Sequence, residues 1–353
     1  MVSVRVVARA VVRVAVVMLA VGGAAFGQTH APWPTDWNNW KDPALWVTVG
    51  NPGNARDTRY GTFPRFGAVA YTFNIGKFEV TAGQYTAFLN AVAKTDTYGL
   101  YDAKMADTAI GSFGCNIKRT GSSGAYDYSV DADWANRPVN FVSWGDAARF
   151  ANWLTNGQST GAQNGSTTED GSYYLNGAIT DADLLAVTRK ANAKYVIPTE
   201  DEWYKAAYHK NDGVTGNYFD YPTGSNSVPN NDLISPDPGN TANFNANWPD
   251  DLTIGSPYYR TEVGEFENSE SPYGTFDQGG NVWEFNEAII ISYRGLRGGP
   301  FSNVDDYMHA AIRNSYGSTS GHDAIGFRVS EVPEPATLSL LALGGLLALR
   351  RRR

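Results

Sequence analysis

Cysteine is almost absent from this sequence, since its 353 residues include only Cys115. A single cysteine cannot form an intrachain disulfide, so covalent cross-links are excluded as a source of stability. A lone cysteine is usually a small buried residue, and we expect no catalytic role for Cys115.

Basic clusters are also missing between the two ends of the chain. The formal net charge is −8 and the isoelectric point is about 5.1. Nucleic-acid-binding proteins normally carry a contiguous basic surface, so nucleic acid is excluded as a partner. The sequence contains no Gly-x-Ser-x-Gly motif, phosphate-binding loop or zinc-ligand spacing.

Aromatic residues, in contrast, are abundant. They make up 13% of the chain and include 10 Trp and 20 Tyr, accompanied by 37 Gly. This composition predicts an irregular, loop-rich fold held by aromatic clusters rather than a helical bundle. The apolar fraction of 42% is sufficient for a packed core in one large domain or two.

The N-terminal residues 1–27 predict a secretory signal peptide. Arginines precede and interrupt a short apolar run, and Ala25-Phe26-Gly27 provides small residues for cleavage. The alternative is an uncleaved membrane anchor, but the uninterrupted run is shorter than the ~20 residues that a span needs.

The C-terminal residues 332–353 contain three consecutive signals. Val332–Pro335 holds a Pro-Glu-Pro box, Ala336–Leu349 is almost entirely Leu, Ala and Gly, and Arg350–Arg353 is basic. This order resembles a PEP-CTERM sorting signal. The resemblance implies export, recognition by exosortase-type machinery, and transient association of the tail with the inner membrane. The alternative is a permanent tail anchor, for which about 14 apolar residues are few.

Between the two ends we distinguish an aromatic-rich extension, 28–67, from a domain at 68–331. Four tryptophans crowd the extension, at positions 33, 37, 40 and 46. We expect them to pack onto the edge of the domain, and the alternative is a platform on which a ligand stacks.

Three helices are indicated by their capping residues. Thr81 precedes the apolar positions Tyr85, Phe88, Leu89 and Val92, which share one helical face. The second helix has Ser143 as its cap, with Asp146 in the first turn, and the third has Thr199 and Glu202 in capping-box spacing. Their buried stripes are predicted at Ala147, Phe150, Ala151 and Leu154, and at Trp203, Ala206 and Ala207.

Short strands are predicted within 69–75, 137–142 and 195–198. Residues 155–180 are predicted to form an inserted surface loop.

Residues 211–270 are acidic and irregular, and a loop of that length needs an organiser. Calcium is one candidate, because hard cations prefer carboxylate and carbonyl oxygens.

Several short motifs occur in a characteristic order. They are Phe78-Glu79-Val80-Thr81, Pro138 to Trp144, Ile197 to Trp203, Gly280-Asn281-Val282-Trp283-Glu284, Arg297-Gly298-Gly299 and Gly326-Phe327-Arg328. Together they resemble the formylglycine-generating enzyme family, also called sulfatase-modifying factors. The resemblance implies an α+β domain with a C-type-lectin-like fold, few helices, short strands and much irregular backbone.

The same resemblance implies a structural calcium site near the Gly-Asn-Val-Trp-Glu motif. The implied ligands are the side chains of Asp277 and Glu284 and the backbone carbonyls of Gly280 and Val282. The alternative is a tight turn in which Glu284 pairs with an arginine. Residues 240–244 resemble the start of a further calcium loop, whose other ligands are not placed.

Family enzymes oxidise a sulfatase cysteine with a copper ion held by two active-site cysteines. By spacing these would lie near Pro300 and Asp305, but no cysteine occurs between Gly298 and Arg328. Neither replacement binds Cu(I) as a thiolate does. We therefore expect no copper.

A histidine metal site using His209, His309 or His322 is a remaining alternative for this chain, but no two of these residues have helical spacing.

These observations favour an exported binding module, without catalytic activity, for a protein or glycan in the envelope or matrix. The alternative is an oxidase or related protein-modifying enzyme with an altered centre.

Overall fold

The computed structural model describes residues 36–60, 65–247, 249 and 251–333. The predicted signal peptide, Trp33 and the sorting signal beyond Pro333 lie outside the described residues. A helix of sufficient length and apolarity to cross a membrane does not occur in the part of the chain that is described.

The described residues form four α-helices, and each begins after a capping residue. They are α1 (Ala82–Val92), α2 (Trp144–Thr155), α3 (Asp181–Ala186) and α4 (Glu200–Tyr208). The caps predicted at Thr81 and Ser143 and the capping box predicted at Thr199 are confirmed, and the structure shows capping boxes at Thr81 and Ser143 as well. Short 3-10 helices cover Pro43–Leu45, Ala103–Ala106 and Asp305–Met308.

In the described part of the chain, ten short strands form three sheets. They are β1 (Trp46–Val49), β2 (Phe73–Gly76), β3 (Lys118–Thr120), β4 (Asp127–Ser129), β5 (Tyr195–Val196), β6 (Trp283–Ile290), β7 (Tyr293–Arg297), β8 (Asn314–Tyr316), β9 (Ile325–Gly326) and β10 (Ser330–Glu331). The first sheet has the antiparallel order β1-β2-β10-β5, and β3 pairs with β4. The third has the order β8-β7-β6-β9, in which β6 and β9 are parallel. The predicted α+β class is confirmed.

Strand β1 belongs to the aromatic-rich extension, yet it pairs with β2 along its whole length. The first sheet therefore crosses the boundary predicted at residues 67 and 68. Trp40 is buried and packs edge-on against Phe150 of α2, with ring centroids 5.6 Å apart. Trp37 is partly buried against the core. These contacts confirm the predicted packing for Trp37 and Trp40.

Two local predictions differ from the structure. Residues 137–142 make a single bridge, from Pro138 to Thr81, rather than a strand, and Phe141 has a φ of 57° that interrupts the extended conformation. The predicted surface loop at 155–180 is partly internal, because Glu169 and Tyr173 are buried in it. Glu169 is drawn inward by an ion pair with Arg149 of α2.

The long segment between His209 and Trp283 has no helix or extended strand among its described residues. Side chains organise it instead. The amide oxygen of Asn281 accepts hydrogen bonds from the Asn243 side chain at 2.7 Å and from the Thr261 backbone at 3.0 Å. The Asp237 carboxylate accepts from Asn268 and Ser269. Polar bonds of this kind replace a backbone ladder.

Candidate functional site

Glu284, on β6, is the centre of a fully buried ionic cluster. The Arg328 Nε and Nη2 atoms each donate to one oxygen of its carboxylate, at 2.6 Å. The indole N–H of Trp203, on α4, donates to the same carboxylate at 2.7 Å. A bidentate pair of this geometry is strong and directional, and it joins α4, β6 and the segment after β9.

Two further carboxylates lie close to this pair. Asp277 accepts a hydrogen bond from the Gly264 backbone at 2.5 Å. Glu79 is 1% exposed, and among the described residues no donor reaches either of its carboxylate oxygens. We call Glu79, Asp277, Glu284 and Arg328 the carboxylate-rich centre, because three acids face one guanidinium.

The imbalance of charge alters the acidity of this centre. Burial is the main cause that raises the pKa of Asp277 to about 7. Burial, and then the negative charges of Asp277 and Glu284, raise the pKa of Glu79 well above its usual value. An isolated buried carboxylate is costly, so such groups either keep a proton or take up a cation.

The predicted calcium ligands lie in or beside this centre. Asp277 and Glu284 are both members of it, while Gly280 and Val282 lie between them on the turn into β6. Gly280 has φ of 92°, and a Cβ there would lie 2.3 Å from the Asn243 carbonyl oxygen, so only glycine fits. Glu284 also has the arginine partner that the alternative expected, and calcium stays a prediction.

Within the described residues, no three His, Cys, Asp or Glu side chains are grouped so as to hold a metal by themselves. A calcium ion at the carboxylate-rich centre would therefore depend on backbone carbonyls as well as on carboxylates. Asn243, in the segment that resembles a further calcium loop, has a buried amide oxygen without a hydrogen-bond partner.

The segment in which family enzymes carry their cysteines forms a surface of different character. Asp305 begins the 3-10 helix there and accepts a hydrogen bond from the Tyr221 hydroxyl at 3.4 Å. His309 follows, and its ring packs edge-on against Tyr60 and Tyr221, with centroids 5.1 and 5.4 Å away. The residues of this segment thus offer carboxylates and aromatic rings.

The remaining candidates are dispersed through the molecule. Cys115 has no exposed surface, and burial raises the pKa of its thiol, which confirms it as a core residue. His209 ends α4, where its ring nitrogen contacts the Tyr273 hydroxyl at 2.8 Å. His322 pairs with Asp323 at 2.7 Å.

Residues 39–332 match the sulfatase-modifying factor enzyme 1-like domain. The chain belongs to this family. Residues 331–353 match the PEP-CTERM protein-sorting motif. The expected family and sorting signal are both confirmed, and the family match extends through most of the aromatic-rich extension.

Three solved structures illustrate the similarity of the fold. A variable protein 1 from Treponema denticola is 18% identical and has a TM-score of 0.49, with 82% of this chain and 95% of that chain covered. CarF is 18% identical with a TM-score of 0.48, covering 82% and 98%. PvdO from Pseudomonas aeruginosa is 17% identical with a TM-score of 0.44, covering 82% and 91%.

No curated protein sequence matches this chain significantly. Likeness to solved structures at these values carries no functional argument.

Sequence reasoning missed two members of the carboxylate-rich centre. Glu79 was noted only as part of a helix-opening motif, and Arg328 only as part of Gly-Phe-Arg. The usable signal was the family motifs themselves, since four of them converge here through Glu79, Trp203, Glu284 and Arg328. In this chain, these motifs therefore meet in one buried ionic cluster.

Proposed function

We propose that this chain is an exported binding module of the sulfatase-modifying factor family and does not perform the copper oxidation of the family. It would recognise a protein or glycan at the cell surface or in the surrounding matrix. The observation that carries this proposal is the position of its only thiol. Cys115 is buried, whereas the segment around Pro300 and Asp305 contains no cysteine.

The chemistry of the replacement residues supports the same conclusion. Copper(I) is a soft ion that selects thiolate ligands. Asp305 supplies a carboxylate, a hard ligand, and Pro300 supplies no metal ligand from its side chain. Burial raises the pKa of the Cys115 thiol, so it remains protonated and is a poor ligand or nucleophile.

The sorting motif defines the cellular setting. A PEP-CTERM motif implies export, exosortase-type sorting and a tail that anchors at the membrane. We propose that the tail resides in the inner membrane only transiently and is then removed. The binding module would in that case act in the envelope or outside the cell.

Calcium is the cofactor that we propose, in a structural role. The predicted ligands Asp277 and Glu284 are buried together, and the added carboxylate of Glu79 leaves an excess of negative charge beside Arg328. A divalent cation would neutralise that excess, and hard oxygen ligands suit calcium. The backbone carbonyls of Gly280 and Val282 would supply the two remaining predicted ligands.

The proposal is tested with the purified chain by metal analysis and by oxygen consumption on a cysteine-containing sulfatase peptide. We expect neither stoichiometric copper nor iron, and no aldehyde on the peptide by mass spectrometry. A copper-loaded family enzyme that has both cysteines provides the positive control. Aldehyde formation by this chain, with oxygen uptake, would show that it is an oxidase with an altered centre.

A further inference from the structure

A cavity of about 590 Å³ opens on the surface formed by the segment before and after α3. This volume is typical of ligand pockets, which range over roughly 300–1,000 Å³. Its lining includes Tyr174, Asn176, Asp183, Val187, Thr188 and Lys190. We call it the Tyr174 cavity. It contains no member of the carboxylate-rich centre and no residue of the segment around Asp305.

The first wall of the cavity is a tight turn that is held in place by buried residues. The Ala178 N–H donates to the Leu175 carbonyl at 2.9 Å, and Asn176 and Gly177 both have positive φ. The Gly177 N–H donates to the Glu169 carboxylate at 2.8 Å. Glu169 is itself buried in an ion pair with Arg149 at 2.7 Å, so the turn is held in one conformation.

The second wall is fixed by another ionic cluster. Arg189 donates to the carboxylates of Glu202 at 2.9 Å and Glu287 at 3.0 Å, and to the Ile197 carbonyl at 2.9 Å. A bridge between Tyr173 and Arg189 joins this wall to the first. We call Arg189, Glu202 and Glu287 the Arg189 centre. Both walls are therefore organised before any ligand arrives, which lowers the entropic cost of binding.

The two basic side chains at the opening, Arg189 and Lys190, are already paired with acids. Lys190 forms an ion pair with Asp170, and Asp183 accepts a hydrogen bond from the Thr180 hydroxyl at 2.6 Å. Arg189 is paired with both Glu202 and Glu287. Acids therefore match or outnumber the basic groups, and the cavity has no excess positive charge with which to attract a phosphate or a polyanion.

Three exposed groups lie around the opening. The Tyr174 side chain is 59% exposed, the Lys190 Nζ atom lies 5.8 Å from its ring centroid, and no aromatic ring of the described residues packs on it. The side chains of Asn176 and Thr188 are exposed and make no hydrogen bonds in the described part of the chain. An aromatic face beside free amide and hydroxyl groups matches a ligand that has both apolar C–H faces and hydroxyls.

We propose that the Tyr174 cavity binds a neutral oligosaccharide. The face of a sugar ring packs on Tyr174, while sugar hydroxyls exchange hydrogen bonds with the Asn176 amide and the Thr188 hydroxyl. This inference rests on the proposed binding function and names the class of its ligand.

The test titrates the full chain with three neutral hexasaccharides: cellohexaose, laminarihexaose and isomaltohexaose. We expect at least one to bind by calorimetry, and Tyr174→Ala to weaken it by about tenfold, as expected for loss of one aromatic contact. Asn176→Gly removes the amide but tolerates the positive φ, and should weaken binding severalfold. Tyr293→Ala is the matched control, because Tyr293 is a 48% exposed tyrosine on β7 outside the cavity lining.

Failure of all three sugars to bind the wild-type chain would overturn the inference, as would equal binding by Tyr174→Ala. Sugar binding that is lost on Tyr293→Ala but kept on Tyr174→Ala would also contradict it. These results are separate from those for the proposed function, because only aldehyde formation on a cysteine peptide refutes a non-oxidising role. Unchanged thermal unfolding of each variant confirms that its fold is intact.

Discussion

The carboxylate-rich centre and the Arg189 centre are built from the same residue types but differ in how their charges are satisfied. In the Arg189 centre, tyrosine hydroxyls supplement the guanidinium: Tyr71 donates to Glu202 at 2.5 Å, and Tyr173 donates to Glu287 at 2.5 Å. In the carboxylate-rich centre, Glu79 receives no such donor.

The Arg189 centre is therefore a structural scaffold, whereas the carboxylate-rich centre retains a carboxylate that can bind a proton or a cation. Where donors match acceptors, as at Arg189, a buried ionic cluster fixes geometry and needs nothing more. Where a carboxylate is left without donors, as at Glu79, the centre must hold a proton or a cation. We therefore expect the two centres to respond differently to mutation, calcium and pH.

The largest expected difference concerns removal of the arginine. Arg328→Met leaves three buried acids without a counter-charge, and we expect it to lower the free energy of unfolding by about 3–5 kcal/mol. Arg189→Met should cost less, about 1–3 kcal/mol, because the tyrosines continue to donate to both carboxylates. Denaturant unfolding measures both values.

A double variant provides the control for that measurement. Adding Glu284→Gln to Arg328→Met removes the stranded charge and should recover part of the loss. Equal losses of unfolding free energy for Arg328→Met and Arg189→Met would show that hydrogen-bond donors satisfy the carboxylates of the two centres to the same degree.

The second expected difference is a response to calcium. At pH 8 the carboxylates are available as ligands, and calcium at a hundredfold excess over its dissociation constant should stabilise the fold by about 2.7 kcal/mol. Chelation should reverse the rise in unfolding temperature, and Asp277→Ala should abolish it. Glu287→Gln, in the Arg189 centre, should retain the full response. A wild-type chain whose unfolding temperature is indifferent to calcium would refute the site.

The smallest expected difference is a pH dependence in the presence of chelator. The pKa of Asp277 is raised to about 7 in the fold, against about 4 when unfolded. Between these two pH values the folded state retains a proton that the unfolded state releases. The contribution of Asp277 to the free energy of unfolding is therefore complete below pH ~4 and disappears as pH rises to ~7. Glu79, Glu265, Glu284 and Arg328 are the charged groups that face it.

Asp277→Asn should flatten the stability curve in that window, by about 1.4 kcal/mol per pH unit at most. The measurement is the difference in unfolding free energy between wild type and variant from pH 4 to 8. Parallel curves would indicate that Asp277 has an ordinary pKa. Burial also raises the pKa of Glu287, so the control is Glu202, where the effect of burial is outweighed by Arg189 and Tyr71 and the pKa is lowered. The same flattening on Glu202→Gln would remove the contrast between the centres.

The predictions from sequence succeeded where the determining interactions are local. The caps at Thr81, Ser143 and Thr199 were identified because each acts within one turn of its own helix. Strands were less certain, and the 137–142 segment was predicted as one although it forms only a single bridge. Whether an extended segment joins a sheet depends on partners that local patterns do not specify.

Of the candidate site, the sequence identified Asp277 and Glu284 and allowed an arginine partner, but not which arginine. It did not reveal Glu79 as a third acid or the Tyr174 cavity. The walls of that cavity depend on Arg149 and Arg189, whose partners cannot be read from a local pattern.

The amino-acid sequence by itself determined the family, the sorting signal, the capped helices and the absence of a copper-binding cysteine pair, because each is a property of residue identity or short spacing. Only the tertiary structure decided which charges meet. Glu79 and Arg328 are remote in sequence, and their approach to Glu284 follows from how β6, β9 and α4 pack, since electrostatic pairing depends on distance in space.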